Sequence, residues 1–175
     1  MKAEAVRRLV MAVSLAIVAG ATGAAAQTVM PPVLSLTGGV MRYTLGETRD
    51  GAFVGIRLAS PIVPLGRNHW LVEPGGGYGW YRTADGDLRH VFIPEVQLQL
   101  QAGPRGLQPY VGGGGGLAFT KVDSTTTTKL TASAAVGLRI MLGSWGIAGE
   151  ARFRSLHLFD KAPREFTVSL FRQLE

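Results

Sequence analysis

Residues 88–101 read Leu-Arg-His-Val-Phe-Ile-Pro-Glu-Val-Gln-Leu-Gln-Leu-Gln, and the last seven of these decide the fold. One set of alternate positions holds Leu88, Phe92, Pro94, Val96, Leu98 and Leu100. The other holds Arg89, Val91, Ile93, Glu95, Gln97, Gln99 and Gln101. A period of two sorts these residues by polarity, and a helical period does not, so the segment is a strand with one apolar and one polar face.

The same reading extends in both directions. Ala102-Gly103-Pro104-Arg105-Gly106 has the composition of a tight turn. Residues 107–122 then form a strand through Tyr110-Val111, five glycines and Leu117-Ala118-Phe119. A polar loop over 123–128 leads to 129–142. There Leu130, Ala132, Ala134, Val136, Leu138 and Ile140 share one face, and Lys129, Thr131, Ser133 and Arg139 the other. Gly143-Ser144 is a second tight turn. It precedes a strand over 145–159, which sets Trp145, Ile147, Ala151 and Phe153 against Glu150, Arg152 and Arg154. A loop over 160–164 and a strand over 165–174 complete this half. The first half alternates less cleanly. Its strands are expected at 33–45, 52–60 and 70–81, with breaks at 46–51, 61–68 and 82–87. Eight strands, an even number, fit an antiparallel up-and-down barrel. After Gln27 no segment has amphipathic helical spacing with capping signals.

Composition bounds what such a barrel could be. Of 175 residues, 46% are hydrophobic and only 17% charged, which excludes a disordered chain. Twenty-four glycines are roughly twice ordinary usage and follow no collagen repeat. The absence of cysteine excludes disulfides, thiolate metal sites and cysteine nucleophiles. Residues 1–26 read as a cleaved signal peptide: Lys2, Arg7 and Arg8 are the basic start, 9–19 the apolar run, and Ala24-Ala25-Ala26 the small residues before the cut. Residues 27–175 are then the mature domain. The net charge is +6, of which Lys2, Arg7 and Arg8 against Glu4 carry +2. The remaining +4 is too scattered for nucleic acid, and it suits an anionic lipid surface.

Two kinds of barrel show this alternation. A soluble barrel of the lipocalin sort keeps its apolar face inside, where it binds an apolar ligand. A membrane barrel turns that face outward and fills a small interior with polar groups. The apolar faces here carry little charge over five or six alternate positions. Tyr43, Trp70, Trp80, Tyr81, Tyr110, Trp145 and Phe159 fall near strand ends, as interfacial aromatic girdles do. The expectation is therefore a transmembrane barrel. Gly75–Gly77 and Gly112–Gly116 would let a narrow barrel curve and accept large facing side chains.

The stretch Gln108-Pro109-Tyr110-Val111-Gly112-Gly113-Gly114-Gly115-Gly116-Leu117 resembles the "PYVGxGxG" strand of small bacterial outer-membrane β-barrel proteins, the group of OmpA and OmpX types. Gly149-Glu150-Ala151-Arg152-Phe153-Arg154 and the leader are similar to that group as well. The resemblance implies a Gram-negative outer membrane and delivery by its assembly machinery. Members usually end on an aromatic residue. This chain ends Phe171-Arg172-Gln173-Leu174-Glu175, which leaves Phe171 for that role.

Three groups of residues are candidates for chemistry. Glu95, Arg139, Glu150, Arg152 and Arg154 lie on polar faces, and Glu73 and Arg57 are positioned to join them. Charges buried in a narrow barrel have to pair, so this cluster reads as a plug rather than a charged pore. Ser155 and His157 share a face, and Glu165 follows the next loop, so the three could form an acyl-transfer triad. Membrane lipid A deacylases are similar in placing a serine–histidine pair near the outer interface, but in the order His-x-Ser-Asn; here the order is Ser155-Leu156-His157-Leu158. A serine and a histidine at a strand end need no catalytic role, and no enzyme is expected. The glycine run 112–116 lacks the lysine and the helix of a phosphate loop. His69, His90 and His157 are too far apart for ligand spacing, and no carboxylate calcium motif occurs, so neither metal nor cofactor is expected. The reading is a monomeric, non-enzymatic outer-membrane barrel with a structural or surface-interaction role. Its partners are membrane lipid and lipopolysaccharide, both termini face the periplasm, and four short loops face outward.

Overall fold

The computed structural model describes residues 31–175 apart from 46, 66–67, 83–85, 103–105, 123–124, 156–163 and 175, and only the backbone of 43–45, 47–49, 65, 122 and 125. The expected leader, 1–26, lies outside the described residues. Eight strands follow in chain order: β1 (Val33–Leu45), β2 (Glu47–Leu65), β3 (Asn68–Arg82), β4 (Leu88–Ala102), β5 (Leu107–Val122), β6 (Thr125–Leu142), β7 (Trp145–Ser155) and β8 (Arg164–Gln173). Each pairs antiparallel with its neighbour in sequence, and β1 closes on β8 from Val33↔Gln173 to Arg42↔Arg164. Closure leaves no strand edge unpaired.

The strands turn where backbone sterics let them. Gly106 and Gly143 sit at φ +74° and +71°, conformations that a Cβ would strain, and they turn β4 into β5 and β6 into β7. The strands run longer than the sequence alternation alone indicates. The expected break at 61–68 narrows to 66–67, and β2 continues through Pro61 and Pro64 to Leu65. Neither proline can donate to the ladder. The sheet accommodates them where the β2–β3 register shifts, between Pro61 and Val63. The polar tract Thr125–Thr128, expected as loop, pairs with β5 as the start of β6. The break expected at 46–51 likewise shortens, since Glu47 already pairs with Leu45.

Parity then sorts side chains to the two faces of the wall. On β8 the buried residues are Glu165, Thr167, Ser169 and Phe171, and the exposed ones are Arg164, Phe166, Val168, Leu170 and Arg172. Glycines create the space inside. A Cβ on Gly137 would collide with the ring of Tyr110, and one on Gly77 with the ring of Phe53. One on Gly112 would meet the Gln99 side chain at 2.9 Å. The glycine run of β5 is thus a recess for the long inward side chains of β4.

The interior has three layers. At the end where β1 turns into β2, Met41, Phe53, Tyr81, Val91, Ile93 and Ala118 form an apolar cluster. At the end where β1 begins and β8 finishes, Val33, Ala59, Leu71 and Phe171 are buried. Between them lies a charged layer. Two members of the expected aromatic girdle are therefore misplaced. Tyr81 and Tyr110 have inward parity and lie inside the barrel. Trp70, Trp80 and Trp145 do have outward parity, and Tyr78, Phe92 and Phe119 lie on the outward face near Trp80. Tyr78 donates to or accepts from His90 Nδ1 at 2.5 Å and lies 5.9 Å from the Trp80 ring. The side chains of Tyr43 and Phe159 are outside the described residues.

Candidate functional site

The charged layer is built from the polar faces of six strands. Its buried charges are Arg57 on β2, Glu73 on β3, Glu95 on β4, Arg139 on β6, Glu150, Arg152 and Arg154 on β7, and Glu165 on β8. Four guanidinium groups and four carboxylates cancel in charge. Alternation on β7 brings three of them together: residues 150, 152 and 154 point inward on successive pleats.

The pairs form a continuous ladder. Arg154 forks onto Glu95, with Nη1 to Oε2 at 2.7 Å and Nη2 to Oε1 at 3.1 Å. Its Nε also donates to Glu165 at 2.5 Å. Arg152 pairs with Glu95 as well, and its Nε and Nη2 reach Glu150 Oε1 at 2.9 and 2.8 Å. Arg57 donates to the same Glu150 oxygen at 2.9 Å. The other Glu150 oxygen accepts from Tyr110 at 2.9 Å. Arg139 donates to Glu73 and Gln99 at 2.9 Å and to Gln101 at 2.5 Å, and its guanidinium lies 4.6 Å from the Tyr110 ring centre. Two-pronged guanidinium–carboxylate bonds fix direction as well as distance, so the ladder sets strand register across the barrel. On the register row of Arg139, Thr37 and Ser169 hydrogen-bond at 2.8 Å across the β1–β8 seam.

The five residues expected in the interior cluster, Glu95, Arg139, Glu150, Arg152 and Arg154, lie together in this layer, with Arg57 and Glu73 among them. Sequence reasoning placed Glu165 elsewhere, beside Ser155. The structure turns it inward, fully buried, onto Arg154. Ser155 continues the outward row of Phe153 on β7, opposite Ala132. Ser155 and Glu165 therefore lie on opposite faces of the wall. His157 is outside the described residues. The signal for Glu165 was in the sequence: it alternates with Phe166, Val168 and Leu170, and so shares the face of Thr167 and Ser169.

The outside of the barrel is the reverse of its inside. Leu36, Ile56, Phe92, Val111, Leu130, Ile147, Phe153 and Val168 are exposed, and every strand contributes to this surface. A closed eight-stranded wall of this kind occurs among solved structures. The chain has the fold of the small outer-membrane barrels. It superposes on the outer membrane enzyme PagL with a TM-score of 0.57, at 12% identity over 81% of this chain and 99% of that one. Neisserial surface protein A aligns at 0.55, with 10% identity over 82% and 96%. The N-terminal barrel of Pseudomonas aeruginosa OprF also aligns at 0.55, with 14% identity over 84% and 100%. No protein-family model matches the sequence, and no curated protein is significantly similar to it. At these identities the likeness is one of fold, and this fold carries an enzyme as well as a surface protein.

Proposed function

We propose that this protein is a non-conducting, non-enzymatic outer-membrane barrel that serves a structural or surface-interaction role. The observation that carries the reading is its inverted polarity. Four arginines and four glutamates are buried inside, while leucine, isoleucine, valine and phenylalanine cover the outside. In water that exterior would leave a continuous apolar surface on a monomer. A soluble barrel for an apolar ligand needs the opposite arrangement. In a bilayer the exterior is the solvated face, and the ladder neutralises the interior. On β8, Arg164 and Arg172 bracket the apolar row Phe166, Val168 and Leu170. Eight residue steps at ~3.4 Å give about 27 Å of strand, or roughly 20 Å along the normal at a ~40° tilt. Snorkelling arginines extend that span toward the ~25 Å apolar band of such barrels.

The leader expected at 1–26 would supply export; an even strand number puts the start of β1 and the finish of β8 on one side, and the short turns usual on the periplasmic side of such barrels favour the periplasm for it. Filled interior layers at both ends and in the middle argue against a pore. In planar bilayers the purified protein is expected to give no stable conductance steps. Regular, voltage-independent openings would overturn the plug.

An acyl-hydrolase reading draws on the fold shared with an outer membrane enzyme and on Ser155 and His157. The inward commitment of Glu165 to Arg154 takes away the acid that such a triad would use. Cells carrying Ser155→Ala or His157→Ala are expected to show the lipid A profile of cells with the parent protein. A loss of deacylated species in either variant would reinstate the enzyme.

A further inference from the structure

The outward face of the β1–β8 seam carries an unusual row. Arg42 and Arg164 are direct cross-strand partners, and Asp50 is the partner of Arg42 on its other side. Like charges placed directly opposite on one face repel. Asp50 relieves half of this. Its carboxylate accepts from Arg42 Nε at 2.7 Å and from Nη2 at 3.1 Å. Among the described residues no carboxylate pairs with Arg164. The three side chains, with Val40 and Phe166 beneath them, line an outward cleft of about 240 Å³. Val40 and Phe166 are each 56% exposed, and they continue the apolar band.

We propose that this cleft binds the phosphate of a membrane lipid. Arg164 and the outer edge of Arg42 would hold the phosphate, and Val40 and Phe166 would lie along the first carbons of its acyl chains. The site rests on the membrane reading above and adds a ligand and a place to it. Guanidinium forks match phosphate oxygens in geometry and charge. Asp50 already engages Arg42 on the side away from Arg164, so an anion approaches between the two arginines. The apolar floor favours a lipid over a free ion, since free phosphate gains nothing from Phe166. Arg82 on β3 and Lys121 on β5 also point outward near the ends joined by the β1–β2 and β3–β4 turns. At the opposite rim of β8, Arg172 instead lies 5.5 Å from the Trp145 ring centre. Outward-pointing basic residues beside the cleft suit a leaflet whose lipids are phosphorylated.

The test is native mass spectrometry of the detergent-extracted protein with diphosphorylated lipid A, with its dephosphorylated form, and with inorganic phosphate. The parent protein is expected to retain lipid A and to discriminate against the dephosphorylated form by about tenfold, the scale of one lost charge-assisted hydrogen bond. Arg164→Gln should weaken lipid A binding by about the same factor and abolish the discrimination, and Arg164→Lys should fall between. Lys121→Gln, on a distant part of the wall, should change binding less than about twofold. Unaltered discrimination in Arg164→Gln would overturn the site while leaving the membrane reading intact. Displacement of the lipid by equimolar inorganic phosphate would overturn the lipid assignment. A chain that folds without entering micelles would overturn the membrane reading and the site with it.

Discussion

Val168→Arg is expected to cost about 2–4 kcal/mol of folding stability in a bilayer, the penalty for arginine at the midplane on the lipid face of a barrel. Val168 is 66% exposed, and it stands halfway between Arg164 and Arg172 on β8. In a water-soluble protein an exposed valine changed to arginine typically alters stability by less than about 0.5 kcal/mol. The two environments therefore predict different sizes of effect for one substitution. The cost should also depend on depth. Phe166→Arg and Leu170→Arg sit two residues nearer the flanking arginines, and each should cost less than Val168→Arg. Urea or guanidinium midpoints of the protein folded into lipid vesicles measure all three. Equal and negligible costs along the row would place the wall in water.

The second large effect is inside. Arg154→Met is expected to destabilise the barrel by about 3–5 kcal/mol, the usual result of removing one member of a buried ion pair. Arg154 holds Glu95 and Glu165 at once. Glu95 keeps Arg152 when Arg154 is gone. Glu165 keeps no guanidinium among the described residues, and it is fully buried. The double variant Arg154→Met, Glu165→Gln removes that stranded charge as well. It should be more stable than the single variant, by an amount that measures their coupling. The same denaturation midpoints, together with the loss of heat-modifiable mobility on gels, report the outcome. A single variant within about 0.5 kcal/mol of the parent would mean that Glu165 is not confined where the ladder places it.

The sequence made the walls more legible than the ends. Wherever one face was polar and the other apolar over several pleats, as in 88–101 and 129–142, a period of two assigned each side chain to its face. The interior charges of β4, β6 and β7 followed from that assignment. Strand ends depended on turn chemistry, and there prolines and threonines misled. Pro61 and Pro64 read as a break, yet a register shift carries β2 past them. Tyr81 and Tyr110 read as girdle residues because they lie near strand ends, whereas their parity with Gly79 and Gln108 sends them inward. Position along a strand does not set a side chain's face; parity does. Glu165 was missed for a related reason. Its nearness to the Ser155–His157 pair in sequence outweighed its alternation with Phe166. What no local pattern carried was the closure itself. The β1–β8 seam that sets Arg42 beside Arg164 appears only when both ends of the barrel meet.

The central claim, a barrel with its charges sealed inside and lipid outside, is tested most directly by fractionating the cell envelope. The protein should be recovered in the outer-membrane fraction, resist extraction by alkaline carbonate, and migrate faster on gels before heating than after. Recovery in the soluble periplasm, with mobility unchanged by heating, would contradict it.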